Sequence, residues 1–371
     1  MAREVNIAVV GATGAVGREF LKILEQRPFP INHLKLLASH RSAGKRMSVA
    51  GQEMVVQETK QESFKNVDIA FISVSSTISK QLQPFANERG CLVIDDSSAF
   101  RMRDDVPLVI PEVNGKDVEW HRGIISIPNC STTQLVMALH PLHKANPIKR
   151  VVVDTYQAVS GAGGQAVTEL NDQSVELLGL DLSTTSEYGL HSGLASLGPR
   201  PKRVDAKALP HQIAFNLVPQ IGSFAASGYS EEEEKMIAET CKIMHDSSIK
   251  VSATCVRVPV YTCHSEAVHV EFQRPMSVEE ARRLLSSMPG VTVVDEPGSS
   301  KYPMPWDLGG TDDVYVGRIR RDPTVSNGLA MWVVSDNLRK GAALNALQIA
   351  EEVLKRGCLK VGKDSASARG E

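Results

Sequence analysis

The stretch Val5-Asn6-Ile7-Ala8-Val9-Val10-Gly11-Ala12-Thr13-Gly14-Ala15-Val16-Gly17 decides the fold. A mostly apolar run ends at Gly11, and apolar residues then recur every three to four positions up to Pro28, which predicts a strand, a glycine-rich turn and a helix. The glycines permit a tight turn and close approach of a pyrophosphate, while the helix start supplies free N–H groups. The spacing is G-x-x-G-x-x-G, one residue off the commonest fingerprint, and its place after the first strand favours a dinucleotide-binding loop.

The segments after this loop continue the alternation of short strands and helices. We predict strands at residues 34–38, 67–74 and 91–94, with a helix around residues 79–88. Short buried strands that alternate with helices indicate a parallel sheet covered on both faces. The sequence therefore predicts a Rossmann-like, doubly wound α/β domain over residues 1–129.

Longer strands dominate after Asn129. A helix at 131–144 leads into a strand at 150–159, followed by predicted strands at 251–260, 267–272, 313–320 and 329–334 and helices near 231–245 and 278–287. This pattern predicts an α+β domain with a mixed sheet over residues 130–337. The last helix, 338–355, is rich in small residues that suit packing against the first domain, which would then comprise 1–129 plus 338–371. The polar stretch 183–210 interrupts the pattern, and we expect the tail at 362–371 to fray.

Composition excludes several classes of protein. The chain has 371 residues, 41 Lys plus Arg against 43 Asp plus Glu, a net charge of −2 and 5% aromatics, which argues against nucleic-acid binding. Six cysteines without a close C-x-x-C pair argue against a metal site or a redox dithiol and predict free thiols. Neither a targeting signal nor an apolar run of about 18 residues is present, so we expect a cytoplasmic protein without membrane contact.

The end of the second predicted strand indicates which dinucleotide binds. An NAD site would place an acidic residue there for the ribose 2′-hydroxyl. The segment here is Ser39-His40-Arg41-Ser42-Ala43-Gly44-Lys45, in which Arg41 and the flanking hydroxyls suit a 2′-phosphate. We therefore predict NADP, and a solvated basic loop remains the alternative.

One cysteine lies at a predicted helix start. In Ile127-Pro128-Asn129-Cys130-Ser131, the proline disfavours helix before it and Asn129 is a good N-cap. Cys130 would then occupy the first turn, where the helix dipole favours the thiolate and free N–H groups can stabilise an oxyanion. A small buried apolar residue is the alternative interpretation.

Several motifs together, in order along nearly the whole chain, resemble the aspartate-semialdehyde dehydrogenase family. The Pro-Asn-Cys-Ser-Thr form at 128–132 is similar to the branch found in Gram-positive bacteria and others. The motifs are Gly11–Gly17, Asp95-Asp96-Ser97-Ser98-Ala99-Phe100-Arg101-Met102, Pro128-Asn129-Cys130-Ser131-Thr132, Thr155-Tyr156-Gln157-Ala158-Val159-Ser160-Gly161-Ala162-Gly163, Asn216-Leu217-Val218-Pro219-Gln220, Ser252-Ala253-Thr254-Cys255-Val256-Arg257-Val258-Pro259-Val260, His264-Ser265-Glu266 and Asp336-Asn337-Leu338-Arg339-Lys340-Gly341-Ala342-Ala343.

The resemblance implies an enzyme that uses NADPH to reduce L-aspartyl-4-phosphate to L-aspartate 4-semialdehyde and phosphate through a cysteine thioester. This step serves the biosynthesis of lysine, threonine, methionine and diaminopimelate. The resemblance also implies a homodimer formed through the second domain, with a small-molecule substrate.

Residue roles follow from the same resemblance. It implies that Cys130 is the nucleophile, Gln157 orients the substrate beside it, and His264 is the general acid/base. Arg257 would clamp the substrate α-carboxylate, a role that suits a planar guanidinium. The remaining substrate and phosphate contacts would come from Arg101, Asn129, Glu232 and Lys235. The predicted cofactor-binding residues are Gly11, Thr13, Gly14, Ala15, Val16, Gly17, Ser39, Arg41, Ser42, Ser160, Gly161 and Asn337.

Other interpretations of these residues stay open at this point. His269, in the same predicted strand, competes with His264, and the acidic run 231–234 is typical of a solvated helix start. N-acetyl-γ-glutamyl-phosphate reductase shares the scaffold and the thioester chemistry, but its acylated substrate does not need an acid such as Glu232. A catalytically silent NADP-binding paralogue is an alternative of another class, although such a protein should tolerate loss of Cys130.

Overall fold

A computed structural model describes residues 4–179 and 203–359. Part of the polar stretch 183–210 and all of the tail 362–371 lie outside the described residues. The first half begins with the predicted strand, turn and helix. Its elements are β1 (Val5–Val10), α1 (Ala15–Gln26), β2 (Ile31–Ala38), β3 (Arg46–Val49), β4 (Gln52–Val55), β5 (Gln57–Glu58), β6 (Ile69–Ile72), α2 (Ser76–Glu88), β7 (Leu92–Asp95), α3 (Pro111–Asn114) and β8 (Ile124–Ser126).

The first sheet is parallel throughout its six described strands, in the order β5-β2-β1-β6-β7-β8. Strand order reverses at β1, so the crevice beside its carboxyl end is the place where open α/β sheets bind ligands. Gly11 follows β1 at this point. This confirms the doubly wound fold, while the β3–β4 hairpin and the two-residue strand β5 were not predicted because such short segments carry little periodicity.

The second half contains a mixed sheet, as predicted. Its order is β10-β9-β11-β14-β13-β12, with parallel pairs at the two edges and antiparallel pairs between them. The elements are α4 (Cys130–Ala145), β9 (Ile148–Gln157), α5 (Gly164–Gly179), α6 (Glu231–Ile243), β10 (Lys250–Arg257), β11 (His264–Phe272), α7 (Val278–Ser286), β12 (Val291–Val293), α8 (Pro305–Leu308), β13 (Val314–Asp322), β14 (Gly328–Ser335) and α9 (Leu344–Lys355). Helix α5 and strand β12 were not predicted.

Helices α4, α6 and α7 cover one face of the mixed sheet. Buried residues of α4 such as Leu135 and Leu139 share a core with Val153 of β9 and Val268 of β11. Because side chains alternate across a strand, the residues of β9 that bear on this core are Val151, Val153, Thr155 and Gln157. The sheet therefore aims Gln157 toward the amino-terminal end of α4.

The last helix packs on the first sheet. Leu344, Leu347 and Ile349 of α9 share one apolar core with Val9 of β1 and Ile94 of β7. The sequence predicted one helix from residue 338 to 355, whereas the structure has a single π-helical turn at Arg339–Ala343 before α9. In that turn the Gly341 N–H donates to the Asp336 carbonyl at 3.3 Å and the Ala343 N–H to the Leu338 carbonyl at 3.0 Å.

Two further findings concern the described part of the chain. None of its helices has the length and apolarity that a bilayer-spanning helix requires. All six cysteines lie within it, and all six are free thiols.

Candidate active site

A cleft of about 250 Å³ lies where the carboxyl ends of the first sheet meet the second half. The structure brings together in its wall most of the residues that the sequence predicted. They are Val16, Arg101, Asn129, Cys130, Gln157, Ser160, Gly161, Glu232, Lys235, Arg257 and Asn337. Elements from both halves therefore build one site.

Cys130 is the first residue of α4. The Asn129 side-chain oxygen accepts hydrogen bonds from the Ser131 N–H at 3.0 Å and the Thr132 N–H at 3.3 Å, which caps the helix as predicted. This cap stabilises the first helical turn, which contains Cys130.

The prediction that the helix start favours the Cys130 thiolate is contradicted by the surroundings of the sulfur. Burial and the Glu232 carboxylate raise the pKa of the Cys130 thiol to about 12, and Arg257 and Arg101 oppose them only in part. The sequence indicated the helix dipole but showed neither the depth of the site nor the carboxylate beside it. The sulfur is therefore protonated near neutral pH.

Glu232 connects three predicted site residues. Its Oε1 accepts hydrogen bonds from Asn129 Nδ2 at 2.9 Å and Gln157 Nε2 at 3.0 Å, while Lys235 Nζ donates to Oε2 at 3.3 Å. Burial raises the pKa of Glu232, but Lys235, Gln157 and Asn129 outweigh burial and lower the pKa to about 2. Glu232 is thus a buried, ionised carboxylate, whereas Glu231 is exposed like the solvated run considered from the sequence.

Arg101 reaches the same cleft from the first half. Its Nη2 donates to the Asp96 carbonyl at 2.8 Å, and its Nη1 pairs with Glu239 Oε1 at 3.1 Å. The other Glu239 oxygen accepts the Asn129 N–H at 2.7 Å. Glu239 therefore ties the cation to the residue that caps α4.

Arg257 and His264 flank the loop between β10 and β11. Arg257 Nη1 donates to the Ala158 carbonyl at 2.7 Å, and the Ala158 N–H donates to His264 Nδ1 at 3.0 Å. A Cβ added at Gly161 would lie 3.0 Å from both Arg257 Nη1 and His264 Nε2. Arg257 lines the cleft, whereas His264 is fully buried and lies behind Gly161, which does line it.

His269 does not belong to this site. Strand alternation puts it on the opposite face of β11 from His264, and its Nδ1 lies 2.9 Å from Asp322 Oδ2. The geometry thus favours His264 over its competitor.

The glycine-rich loop fits a dinucleotide pyrophosphate. Gly11 has φ +88°, and a Cβ there would lie 2.2 Å from the Ser73 carbonyl oxygen of the neighbouring strand end. A Cβ at Gly17 would lie 2.3 Å from the Gly11 carbonyl oxygen. Gly14, which has no side chain, occupies the cap of α1, so the first N–H groups of the helix are open to an anion.

The other predicted cofactor residues form two groups. One group lies beside Thr13 of the glycine-rich loop, and the other lies in the wall of the cleft. Thr13 Oγ1 donates to Ser42 Oγ at 3.4 Å, which brings the segment of Ser39 and Arg41 beside the loop. At the cleft end, Asn337 Nδ2 donates to Ser160 Oγ at 3.0 Å, and Asn337 Oδ1 accepts the Cys263 N–H at 3.0 Å.

Sequence reasoning missed three residues that shape the site. Glu239 follows Glu232 by seven positions, two helical turns, so helical periodicity could have identified it. Asp96 follows the buried strand β7 and lines the cleft, and the rule that sites lie at the carboxyl ends of parallel strands could have found it. Gly341 lies against Cys130, since a Cβ there would approach Cys130 Cβ to 2.8 Å. Only the tertiary contact reveals its role.

Comparisons with known proteins agree with this geometry. Residues 6–121 match the family described as "Semialdehyde dehydrogenase, NAD binding domain", and residues 139–340 match "Semialdehyde dehydrogenase, dimerisation domain". Among solved structures, aspartate semialdehyde dehydrogenase II of Vibrio cholerae is 41% identical with a TM-score of 0.87, covering 95% of this chain and 99% of that one, and it has also been solved "complexed with ASA". The Candida albicans enzyme "with NADP" is 27% identical with a TM-score of 0.70, covering 96% of this chain and 100% of that one.

Curated relatives give the same result. Aspartate-semialdehyde dehydrogenase of Aquifex aeolicus is 50% identical over 357 residues, which cover 95% of this chain and 99% of that protein. The enzyme of Bacillus subtilis is 49% identical over 356 residues, which cover 96% of this chain and 99% of that protein. The chain belongs to the aspartate-semialdehyde dehydrogenase family and is an NAD(P)-dependent oxidoreductase.

Proposed function

We propose that this enzyme reduces L-aspartyl-4-phosphate to L-aspartate 4-semialdehyde, with release of phosphate. The observation that carries the proposal is the shared cleft of Cys130, the cations Arg101, Lys235 and Arg257, and the ionised Glu232. A doubly anionic substrate with a free α-amine needs that combination of charges. The same observation speaks against an acylated substrate, which has no ammonium group to pair with Glu232.

The substrate-binding residues act through charge and shape. Arg257 clamps the α-carboxylate, Glu232 attracts the α-ammonium group, and Arg101 with Lys235 holds the phosphate. Gln157, fixed by its hydrogen bond to Glu232, orients the substrate beside the sulfur. Asn129 supports both the helix start and Glu232.

The chemistry runs through Cys130. Its sulfur attacks the acyl phosphate and forms a thioester as phosphate leaves, while N–H groups at the start of α4 and His264 act on the carbonyl oxygen. NADPH, when bound, would supply the hydride that reduces the thioester. Collapse of the resulting thiohemiacetal then releases the aldehyde and frees the sulfur.

The residues present fit NADP. Gly11, Thr13, Gly14, Ala15, Val16 and Gly17 would hold the pyrophosphate, Ser39, Arg41 and Ser42 the 2′-phosphate, and Ser160, Gly161 and Asn337 the nicotinamide end. Support comes from the crowding that a Cβ at 11 or 17 would cause and from the contact between Thr13 and Ser42.

An assay of the reverse reaction tests the activity. We expect phosphate-dependent reduction of NADP with aspartate semialdehyde and much slower turnover with N-acetylglutamate semialdehyde. Cys130→Ala should abolish turnover while the fold, followed by circular dichroism, is retained. Full turnover in Cys130→Ala would overturn the thioester scheme, and no turnover in the native chain would favour the silent paralogue.

Exchange at Arg41 tests the choice of cofactor. Arg41→Ala should raise KM for NADP and leave KM for NAD nearly unchanged, because only NADP carries the 2′-phosphate. Lys22→Ala on α1, whose partner is Glu19, is a matched surface control. An unchanged preference in Arg41→Ala would remove this residue from the cofactor site.

We also infer a cytoplasmic homodimer in which residues 1–129 plus 338–371 form one domain and 130–337 the other. The dimerisation-family match and exposed apolar side chains in the second half support the dimer, Leu217 being 58% and Trp306 90% exposed. Leu217→Asp should shift sedimentation toward the monomer. Val55→Asp, at a 51% exposed position in the first half, should not.

A further inference from the structure

Lys242, near the end of α6, binds the backbone of the segment that begins at Arg101. Its Nζ donates to the carbonyl oxygens of Arg101 at 2.6 Å, Arg103 at 2.7 Å and Val106 at 3.0 Å. An ammonium group has three N–H donors, so these three main-chain oxygens use all of them. Because hydrogen bonds from a charged donor are stronger than neutral ones, Lys242 fixes the backbone of residues 101–106, which we call the Arg101 loop.

Glu239 binds the arginine side chain of the same loop. Its Oε1 lies 3.1 Å from Arg101 Nη1, and both side chains of this ion pair are buried. Residues three positions apart lie on the same side of a helix, so Glu239 and Lys242 face the loop together. Helix α6 of the second half therefore holds this loop of the first half at two points, the guanidinium and the backbone.

Arg101 lines the cleft and has a donor available for a ligand. Its Nη1 and Nη2 bind Glu239 and the Asp96 carbonyl, whereas its Nε is buried and has no hydrogen-bond partner among residues 4–179 and 203–359. A buried donor without a partner costs free energy, so a phosphate oxygen that accepts this hydrogen would bind favourably. The strength of that contact depends on the position in which the loop holds the guanidinium.

We propose that Lys242 and Glu239 are positioning residues that set the affinity of the cleft for phosphate by holding Arg101. Neither of the two lines the cleft, so each would act through the arginine. The inference rests on the proposed function, in which Arg101 contacts the phosphate. Since the amino-acid part of the substrate is assigned to Arg257 and Glu232, displacement of the Arg101 loop should weaken phosphate binding selectively.

Steady-state kinetics of the reverse reaction separates these effects, because inorganic phosphate and the aldehyde enter as different molecules. Lys242→Met keeps an unbranched apolar stem and removes the three donors. We expect it to raise KM for phosphate about tenfold and to change KM for aspartate semialdehyde by less than about twofold. Equal changes in both constants, or an unchanged KM for phosphate, would overturn the proposal.

Lys35 of β2 is a matched control, because it also binds the backbone of a loop. Its Nζ donates to the carbonyl oxygens of Ser63 at 3.1 Å and Lys65 at 2.7 Å, and none of these three residues lines the cleft. Lys35→Met should lower the temperature of unfolding, as Lys242→Met does, and leave KM for phosphate at the native value. A similar rise of this KM in both variants would reduce Lys242 to a structural residue and overturn the proposal.

A double-variant cycle tests whether Lys242 acts through Arg101. Arg101→Ala alone should raise KM for phosphate, and the addition of Lys242→Met should raise it no further. A further tenfold rise in the double variant would contradict the proposed route.

Glu239→Gln tests the second contact and gives the same measurement if Lys242→Met does not fold. Both carboxylate oxygens of Glu239 are in use, one by Arg101 Nη1 and the other by the Asn129 N–H. An amide has one oxygen for these two donors, so we expect KM for phosphate to rise in this variant as well. A native KM for phosphate in Glu239→Gln would overturn the role of this residue.

Alkylation of Cys130 by iodoacetamide reports phosphate binding without turnover. The concentration of inorganic phosphate that gives half of the maximal change in this rate is the dissociation constant, which should rise about tenfold in Lys242→Met and stay constant in Lys35→Met. If native enzyme turned over no aldehyde, the proposed function would fail, while this constant would still decide the inference. Equal constants in native enzyme and Lys242→Met, or no effect of phosphate on the native rate, would overturn it.

Discussion

The charge of Glu232 opposes ionisation of the Cys130 thiol. The carboxylate is kept ionised by Lys235 and two amide donors, and its charge helps to hold the proton on the sulfur. We infer that substrate binding relieves this opposition, because the ammonium group would neutralise Glu232. The cysteine would then gain reactivity only when the substrate occupies the site.

Removal of the Glu232 charge should therefore activate the sulfur toward a simple electrophile. We expect iodoacetamide to alkylate Cys130 about tenfold faster in Glu232→Gln than in the native chain at pH 8, equivalent to about one pKa unit. The expected direction follows because the Glu232 charge raises the pKa of the Cys130 thiol. Removal of that charge lowers this pKa, which increases the thiolate fraction at a fixed pH. Mass spectrometry of the Cys130 peptide measures the rate, with Glu234→Gln as the exposed control, and a slower rate in Glu232→Gln would contradict this account.

Gly341 sets the position of the same sulfur. Because a Cβ there would lie 2.8 Å from Cys130 Cβ, Gly341→Ala should displace the cysteine or the π-helical turn. A displacement of about 1 Å typically costs about 100-fold in rate, which we expect in kcat. Gly298→Ala, whose Cβ would meet no heavy atom within 4 Å, is the control. Native kcat in Gly341→Ala would show that the site absorbs the extra methyl group.

At the scale of elements, α6 is the support of the substrate site. Glu232, Lys235 and Glu239 recur on one side of this helix at spacings of three and four residues. A capping box fixes its start, since the Ser230 hydroxyl accepts the Glu233 N–H and Glu233 Oε2 accepts the Ser230 N–H at 2.6 Å. Glu233 Oε1 also accepts the Cys255 N–H at 2.8 Å, which joins the helix to β10.

Loss of this cap should affect both stability and activity. Ser230→Ala should lower the free energy of unfolding by about 1 kcal/mol and raise KM for the substrate, because the first turn carries Glu232. Ser277→Ala removes the equivalent cap of α7, which carries none of the proposed site residues, so only stability should fall. Urea unfolding and steady-state kinetics measure the two effects, and equal changes of KM in both variants would contradict the argument.

At the scale of the whole molecule, Arg339 forms ion pairs and a hydrogen bond that connect the two halves. Its guanidinium pairs with Asp312 at 2.6 Å and donates to Gln26 at 2.9 Å, and it also pairs with Glu19 of α1 at 2.5 Å. Asp312 precedes β13, so one buried cation bridges the first helix and the second sheet. The cleft between the halves depends on this junction.

Arg339→Leu should destabilise the protein by about 3 kcal/mol, because it removes the buried cation that pairs with Asp312 and leaves Glu19 with only the weaker contact to Lys22 at 3.8 Å. The exposed pair of Arg46 and Glu53 in the β3–β4 hairpin is the control, and Arg46→Leu should cost less than about 1 kcal/mol. Thermal unfolding measures both variants. A loss in Arg339→Leu as small as that of the control would show that apolar packing alone joins the halves.

Local sequence predicted the elements that depend on neighbouring residues. Side-chain periodicity and turn chemistry act over a few residues. They account for the strand before Gly11, the cap at Asn129 and the longer strands that come after that cap. The π-helical turn at Arg339–Ala343 could not be predicted in this way, because its Gly341 packs against Cys130, more than 200 positions earlier in the chain.

The sequence by itself determined the doubly wound first half, the mixed second sheet and the family, because periodicity and motifs depend only on the order of neighbouring residues along the chain. Only the tertiary structure decided that Glu232 is buried beside Cys130, that Glu239 links Arg101 to the cap of α4, and that Ala158 fixes the ring of His264. These relations are charges and hydrogen bonds across space. Their energies depend on burial and distance, which arise when distant segments pack together.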